Sequence, residues 1–296
     1  MNLIKLATVA ILVGNLLFSV KGFQDANFRE RYLFHVGPIR YQKDWVRMLS
    51  SGFLHGDWMH LIFNMYTLYV FADIFSKLPL MNLVSFLLLY FGSLLGGNAL
   101  ALYIHRNHDD YRALGASGAV SGVVFAAIAM ILEMRLFFNI PAWLFAIVYT
   151  LVTIYGIKSS WGNIGHEAHL GGSIIGVAMA IAVRPTIVQQ HPILLLGIVL
   201  PMVVFLYFLV MKPEFLLIPN YLDYQKRQVS ERFKRSAKQP KVKSSPKTKR
   251  KPKGQKRFIS PEAELNFLLD KVQQEGYEKL SRQEKDRLEE LSRKLE

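Results

Sequence analysis

The stretch RALGASGAVSGVVFA, residues 112–126, is the most informative part of the chain, because it combines lipid-compatible side chains with closely spaced glycines around Ser117. Gly118 and Gly122 lie four residues apart, and this small-xxx-small spacing lets two membrane helices bring their backbones into contact. A hydroxyl in so apolar a stretch marks a functional position unless it serves packing alone. The stretch therefore predicts a tightly packed membrane helix with a polar site near its start.

The rest of the chain fits the same class. Of its 296 residues, 51% are hydrophobic, and the mean hydropathy is +0.21. A helix needs roughly 20 apolar residues to cross a bilayer, and seven stretches approach that length: 3–22, 57–76, 81–104, 114–134, 142–158, 167–184 and 193–212. We therefore expect an all-α, polytopic membrane helix bundle. The last stretch contains Pro201, so whether it crosses stays open.

The net charge of +14 comes from one segment. Residues 226–257 hold 15 Lys and Arg against one acid, Glu231, which gives 15 − 1 = +14 and leaves the remainder neutral. The segment has few apolar side chains and several prolines, so residues 221–258 are expected to be a disordered linker. Such a basic run attracts anionic lipid headgroups, and we expect no nucleic acid partner. Residues 259–296 predict a small helical hairpin, with a capping box from Ser281 to Glu284.

The chain contains no cysteine. This excludes disulfides, thiol nucleophiles and thiolate metal sites, so any covalent chemistry must use oxygen or nitrogen. We predict no cofactor and no metal, because the His-rich stretch HEAH, residues 166–169, lacks the i, i+4 histidine spacing of zinc proteases. The N-terminal apolar run lacks a convincing cleavage site, so it is interpreted as a retained first span.

Four polar side chains lie near the starts of alternate spans. If each intervening segment crosses, the second, fourth and sixth spans run in the same direction and begin at the same face. This places four side chains at similar depth: His60, Asn64, Ser117 and His169. Gly172 and Gly176 repeat the small-residue spacing on the sixth span, so the fourth and sixth spans are predicted packing partners.

A serine beside a neutral histidine is a candidate nucleophile and general base. Ser117 would attack, and His169 would accept its proton and return it to the leaving amine. Helix-start N–H groups lack intrahelical partners and favour negative charge, so with His60 and Asn64 they are candidate donors to an oxyanion. Asp73 and Glu133 lie towards the far ends of their spans, so the sequence offers a dyad.

Four motifs in this order resemble the rhomboid intramembrane serine proteases: Trp45-x-Arg47, H-x-x-x-N at 60–64, G-A-S-G at 115–118 and A-H-x-x-G at 168–172. The resemblance covers about residues 1–185. It implies a six-helix core around a water-accessible cavity, with Ser117 as nucleophile and His169 as base. It also implies an oxyanion site at His60, Asn64 and Gly115, and transmembrane segments of other proteins as substrates.

One position departs from the resemblance. Many relatives carry an aromatic four residues after the nucleophile that packs on the catalytic imidazole, and here that position is Ser121. Phe125, one turn further, is the candidate replacement. Trp45 and Arg47 are expected to brace the long first loop, about residues 23–56, which we interpret as an interfacial substructure.

Alternative interpretations remain. Ser117 could be only a packing residue, and His60 with Asn64 could simply hold the loop. We interpret His55, His166 and Glu167 as structural or interfacial rather than catalytic. A catalytically silent relative would bind transmembrane clients, and a transporter would show inverted repeats, which we do not find. The expected location is a multi-pass position in a bacterial-type plasma membrane. The resemblance implies a cytoplasmic N-terminus, and segment length favours a seventh crossing within residues 186–220, which would place the basic tail outside. The positive-inside rule places the tail in the cytoplasm instead, so the side that holds it stays open.

Overall fold

The computed structural model describes residues 2–159, 165–211, Leu268, Lys271 and 280–295. The chain divides into two compact units, residues 1–237 and 238–296. The predicted linker, residues 221–258, lies outside the described residues. In the second unit, Ser281 and Glu284 exchange the two hydrogen bonds of a capping box, and Leu268, Leu280 and Leu291 form a small buried cluster.

The first unit is a helix bundle, which confirms the predicted fold class. Each of the seven apolar stretches corresponds to a helix within the described residues: α1 (Leu3–Gln24), α5 (Trp58–Lys77), α6 (Leu83–Ile104), α7 (Ser117–Met130), α8 (Ala142–Ser159), α9 (His166–Val183) and α11 (Pro192–Met211). Five of them, α1, α6, α8, α9 and α11, are long and apolar enough to cross a membrane. The protein is therefore a multi-pass membrane protein.

The other helices of the described residues are α2 (Ala26–Tyr32), α3 (Val36–Tyr41), α4 (Val46–Ser50), α10 (Ile187–Gln190) and, in the second unit, α12 (Arg282–Leu295). Two 3₁₀ turns occupy Ser51–Phe53 and Phe137–Asn139. The all-α prediction did not include the antiparallel pair between strands β1 (Phe34–His35) and β2 (Arg112–Ala113). This pair ties the first loop to the segment that leads into α7.

Helix α7 lies at the centre of the bundle. Every residue from Gly118 to Met130 is buried, and its 14 residues rise only about 21 Å, less than a bilayer core. The predicted bounds of 114–134 were therefore too wide. The helix starts at Ser117 because Gly115 adopts φ +132°, and it ends where the Arg184 guanidinium donates to the carbonyl of Met130 at 2.9 Å.

Glycines allow α7 and α9 to touch through their backbones. A Cβ built at Gly172 would overlap the carbonyl oxygen of Gly118, and one built at Gly176 would overlap that of Gly122. Helix α6 approaches α9 in the same way, since a Cβ at Gly97 would overlap the carbonyl oxygen of Ala168. Helices α6, α7 and α9 thus form the inner layer, and their small residues determine its spacing.

The first loop is an ordered substructure made of α2, α3, α4 and β1. Arg47 lies at its centre and is 7% exposed. Its guanidinium donates to Asp44 Oδ2 at 2.9 Å and to the backbone carbonyls of Glu30 and Leu33 at 2.8 and 2.9 Å. The Trp45 side chain, in contrast, is 53% exposed, so it does not brace the loop from within.

Replacing Arg47 with lysine is expected to destabilise this loop, because one ammonium cannot reproduce a planar fork that reaches three acceptors. Leaving buried acceptors unpaired costs about 1–3 kcal/mol. Thermal unfolding in detergent, followed by circular dichroism, should therefore show a lower Tm for Arg47→Lys. Arg40→Lys is the matched control, since Arg40 lies partly exposed with a 3.9 Å ion pair to Asp109 and a position over the Tyr41 ring, both of which a lysine can replace. Equal Tm values for the two variants would contradict the bracing role.

Candidate active site

Ser117 is the first residue of α7, and a fixed turn presents it. The N–H of Gly115 donates to the carbonyl of Ser51 at 3.0 Å. Gly115 also has a positive φ, a backbone conformation that residues with a Cβ rarely adopt. The N–H of Ala116 points at His55 Nε2 at 3.4 Å. The backbone before Ser117 is thereby held from two sides.

His55 explains the second of these contacts. Burial, with a smaller contribution from His60, lowers the pKa of His55 to about 3, so its ring is neutral at pH 7. Because Nε2 accepts from Ala116, the ring proton lies on Nδ1 and donates to Ser19 Oγ at 2.9 Å. Ser19 donates in turn to the carbonyl of Phe53. Helix α1 therefore supports the serine turn through a structural histidine.

The structure brings Ser117 and His169 together. Ser117 Oγ lies 2.7 Å from His169 Nε2, within hydrogen-bond distance, although 52 residues separate them. Both side chains belong to the first turns of their helices, and the contact between the α7 and α9 backbones sets the distance. When the hydroxyl donates, Nε2 is the acceptor, and the imidazole can take the hydroxyl proton directly.

The other nitrogen of His169 has a partner that the sequence reasoning missed. Tyr149, on α8, places its hydroxyl 3.1 Å from His169 Nδ1 and 2.9 Å from Ser121 Oγ. Phe125, the expected support, instead packs on the Tyr149 ring, with 5.5 Å between centroids. Tyr149 lies among several aromatics in an apolar helix, so the one signal for it was the unexplained hydroxyl at position 121.

His60 and Gly115 lie against each other beside the nucleophile. A Cβ built at Gly115 would lie 3.0 Å from His60 Nε2 and 3.5 Å from Ser117 Oγ. The His60 ring and the Ser117 hydroxyl therefore both lie close to the Cα of Gly115. Asn64 is buried one turn below, where one of its amide N–H groups donates to the carbonyl of His60 at 2.9 Å. The N–H groups at the start of α7 lack intrahelical partners and are further candidate donors beside Ser117.

Glu167 belongs to a separate buried network. Its carboxylate accepts hydrogen bonds from His105 Nε2 at 3.0 Å and from the Tyr111 hydroxyl at 3.2 Å. The His105 and Tyr111 rings are stacked, with 3.5 Å between their centroids. Burial, reinforced by the Glu167 carboxylate, raises the pKa of Tyr111 well above its usual range, so it remains a donor. The network anchors the start of α9 to the loop after α6.

Neither network forms a metal site. Within the described residues, no group of three or more His, Asp or Glu side chains is placed to hold a metal ion. The His166 ring packs against Gly156 of α8, and its centroid lies 6.1 Å from that of His169 in an edge-to-face contact. The donors around Ser117 are thus hydroxyl, imidazole, amide and backbone N–H groups, a set suited to acyl transfer.

Comparison with known proteins identifies two regions. A family profile described as "Rhomboid domain" matches residues 42–186, and one described as "Family of unknown function (DUF6576)" matches residues 258–294.

Three relatives illustrate the likeness. Rhomboid protein 1, mitochondrial, from Saccharomyces cerevisiae is 30% identical over 162 residues, covering 51% of this chain and 46% of that protein. Presenilin-associated rhomboid-like protein A, mitochondrial, from Danio rerio is 31% identical, covering 44% and 35%. Putative rhomboid protease YdcA from Bacillus subtilis is 33% identical, covering 30% and 43%. The chain thus spans less than half the length of each of these relatives.

Proposed function

Since the chain belongs to the rhomboid family through residues 42–186, we propose that it is an intramembrane serine endopeptidase that works by a Ser-His dyad. The observation that carries the proposal is the 2.7 Å contact between Ser117 Oγ and His169 Nε2. One relative is itself named a putative rhomboid protease. We assign the chemistry to the predicted core, residues 1–185, and none of it to the segments 186–220, 221–258 and 259–296.

The first half of the reaction forms an acyl-enzyme. Ser117 Oγ attacks the substrate carbonyl carbon while His169 Nε2 takes the hydroxyl proton. The resulting oxyanion accepts hydrogen bonds from the first N–H groups of α7, from the free N–H of Asn64 and from His60, next to Gly115. Each such donor is worth about 10²–10³ in turnover. His169 then gives the proton to the leaving amine, and the C–N bond breaks.

The second half releases the new carboxyl terminus. Water attacks the Ser117 ester while His169 accepts one of its protons, and the proton returns to Ser117 Oγ as the ester bond breaks. Both halves use the same base and the same oxyanion donors, so the hydrogen bond between Ser117 on α7 and His169 on α9 is needed in both. No acid beyond His169 is needed, which suits a site where the carboxylate of Glu167, two residues before His169, is engaged by His105 and Tyr111.

The proposed substrates are transmembrane segments of other membrane proteins. A peptide bond within a helix is shielded by its own turn, so cleavage requires local unwinding, which glycine and other weak helix formers ease. The bacterial-type plasma membrane stays a prediction, because the yeast and zebrafish relatives are named as mitochondrial proteins and a third comes from Bacillus subtilis. Contact of the basic segment with anionic lipid also stays a prediction.

Purified protein in liposomes tests the proposal with a single-span substrate that carries glycines near one end of its span. We expect two fragments, whose masses locate the cut within or next to the span. A matched substrate with leucines in place of those glycines should be cut more slowly. Binding of the substrate without any fragment would overturn the proposal and favour a catalytically silent member of the family.

A further inference from the structure

We propose that Tyr149 is the positioning residue for His169 and that Ser121 in turn fixes the Tyr149 hydroxyl. The inference rests on the proposed function, because it assigns His169 the role of base. Three helices supply the parts: α7 carries Ser121, α8 carries Tyr149 and α9 carries His169. We call the chain from His169 through Tyr149 to Ser121 the imidazole clamp.

The geometry of the clamp is continuous. The Tyr149 hydroxyl lies 3.1 Å from His169 Nδ1 and 2.9 Å from Ser121 Oγ. The Tyr149 and His169 rings are nearly parallel, at 20°, with centroids 6.3 Å apart. The contact between them is therefore an edge hydrogen bond from the imidazole to the phenol oxygen, which fixes both the position and the rotation of the imidazole ring.

The proton positions follow from the catalytic contact. For Ser117 to donate to His169 Nε2, the single proton of the neutral ring must lie on Nδ1. That N–H donates to the Tyr149 oxygen, which leaves the phenol hydrogen free to donate to Ser121 Oγ. The clamp therefore favours the His169 tautomer that carries its proton on Nδ1, which leaves Nε2 free to act as the base. When His169 takes the serine proton, the bond from Nδ1 becomes charge-assisted and strengthens.

Other groups near His169 are already engaged. The Glu167 carboxylate, two residues earlier on α9, is bonded by His105 and Tyr111. The His166 ring meets His169 edge to face rather than through Nδ1. In the described part of the chain, the hydroxyl that bonds His169 Nδ1 is that of Tyr149.

Packing holds Tyr149 in place. Phe125 is 1% exposed, and its ring lies 5.5 Å from that of Tyr149, centroid to centroid. Phe145, one turn earlier on α8, lies 5.7 Å away on the same measure. The serine at position 121 is what makes room for this arrangement, because a larger side chain there would occupy the space of the Tyr149 hydroxyl. The clamp therefore accounts for a small polar residue one turn after the nucleophile.

The test compares Tyr149→Phe with the wild-type protein in liposomes. The variant keeps the ring and loses only the hydroxyl, so we expect kcat to fall about 10-fold to 100-fold. This is less than the loss of rate expected when a general base is removed altogether, about 10²–10⁴-fold. KM should stay within about 2-fold, since the clamp contacts no substrate. Phosphonylation of Ser117 by a fluorophosphonate should slow by the same factor as kcat, because both reactions need His169 to accept the Ser117 proton; this places the loss in activation of the hydroxyl and not in substrate binding.

Two further variants sharpen the test. Ser121→Ala should lower kcat about 3-fold to 10-fold, and the double variant should be no slower than Tyr149→Phe, because Ser121 acts through Tyr149. Tyr155→Phe is the matched control, a 63% exposed tyrosine on the same helix, and should match the wild type. If Tyr149→Phe fails to fold, the Ser121→Ala result decides.

The outcomes separate this inference from the proposed function. A wild-type protein that cleaves, with Tyr149→Phe and Ser121→Ala equally fast in cleavage and labelling, would overturn the clamp and leave the protease proposal intact. Fully additive losses in the double variant would also overturn it. A wild-type protein that neither cleaves nor becomes labelled would overturn both.

Discussion

Replacing Ser117 with alanine is expected to lower cleavage of a transmembrane substrate by about 10⁴-fold or more. The variant retains the oxyanion donors and the substrate contacts, but it lacks the oxygen that forms the acyl bond. His169→Ala should have a similar effect, because without the base at 2.7 Å the hydroxyl stays protonated during attack. Fragment release, measured by gel or mass spectrometry, gives both values.

The two losses should not add. A nucleophile and its base act as one unit, so the double variant Ser117→Ala, His169→Ala is expected to be no slower than either single variant. Ser76→Ala and His191→Ala are matched controls on α5 and just after α10, and both should cleave like the wild type. Cleavage that survives Ser117→Ala would contradict the assignment of the nucleophile.

The second large effect is expected for Gly172→Ala. The new methyl group would overlap the backbone carbonyl oxygen of Gly118, and a backbone atom cannot rotate away as a side chain does. Helices α7 and α9 must therefore separate, which moves Ser117 away from His169. A misplacement of about 1 Å costs about 10²-fold in rate, and overpacking costs about 1–3 kcal/mol of stability. Cleavage rate and Tm in detergent measure the two effects.

Gly92→Ala is the matched control for this substitution. Its methyl group would meet the Ile175 side chain at 3.7 Å, an ordinary van der Waals distance. Because alanine is a better helix former than glycine by about 0.5–1 kcal/mol, this variant should be fully active and no less stable. If Gly172→Ala were also fully active, the close approach of α7 and α9 would not be what sets the catalytic distance.

The sequence carried enough information to predict which helices meet. Seven apolar stretches defined the bundle, and the parallel direction of alternate spans placed the starts of α5, α7 and α9 at one face. The small-residue spacing at Gly118, Gly122, Gly172 and Gly176 identified the pair of helices in closest contact. These signals are local in sequence or follow from the number of membrane spans, so they could be identified in one amino-acid sequence without an alignment.

Other features of the site depend on contacts that no local pattern encodes. Helix α7 begins three residues later than predicted, because hydropathy does not register the positive φ of Gly115. Tyr149 lies in an apolar helix whose rotation about its own axis is set by packing, and rotation decides whether a tyrosine faces lipid or His169. Glu167 was interpreted as structural, but its partners, 56 and 62 residues away, could not be named from spacing.

The Ser117–His169 dyad is tested most directly by mapping the site of a fluorophosphonate adduct by peptide mass spectrometry, in the wild-type protein and in His169→Ala. We expect one phosphonylated peptide that contains Ser117 in the wild type, and its loss in His169→Ala, because the hydroxyl reacts only when Nε2 accepts its proton. An adduct on a different residue, or labelling of Ser117 at the same rate without His169, would contradict the dyad.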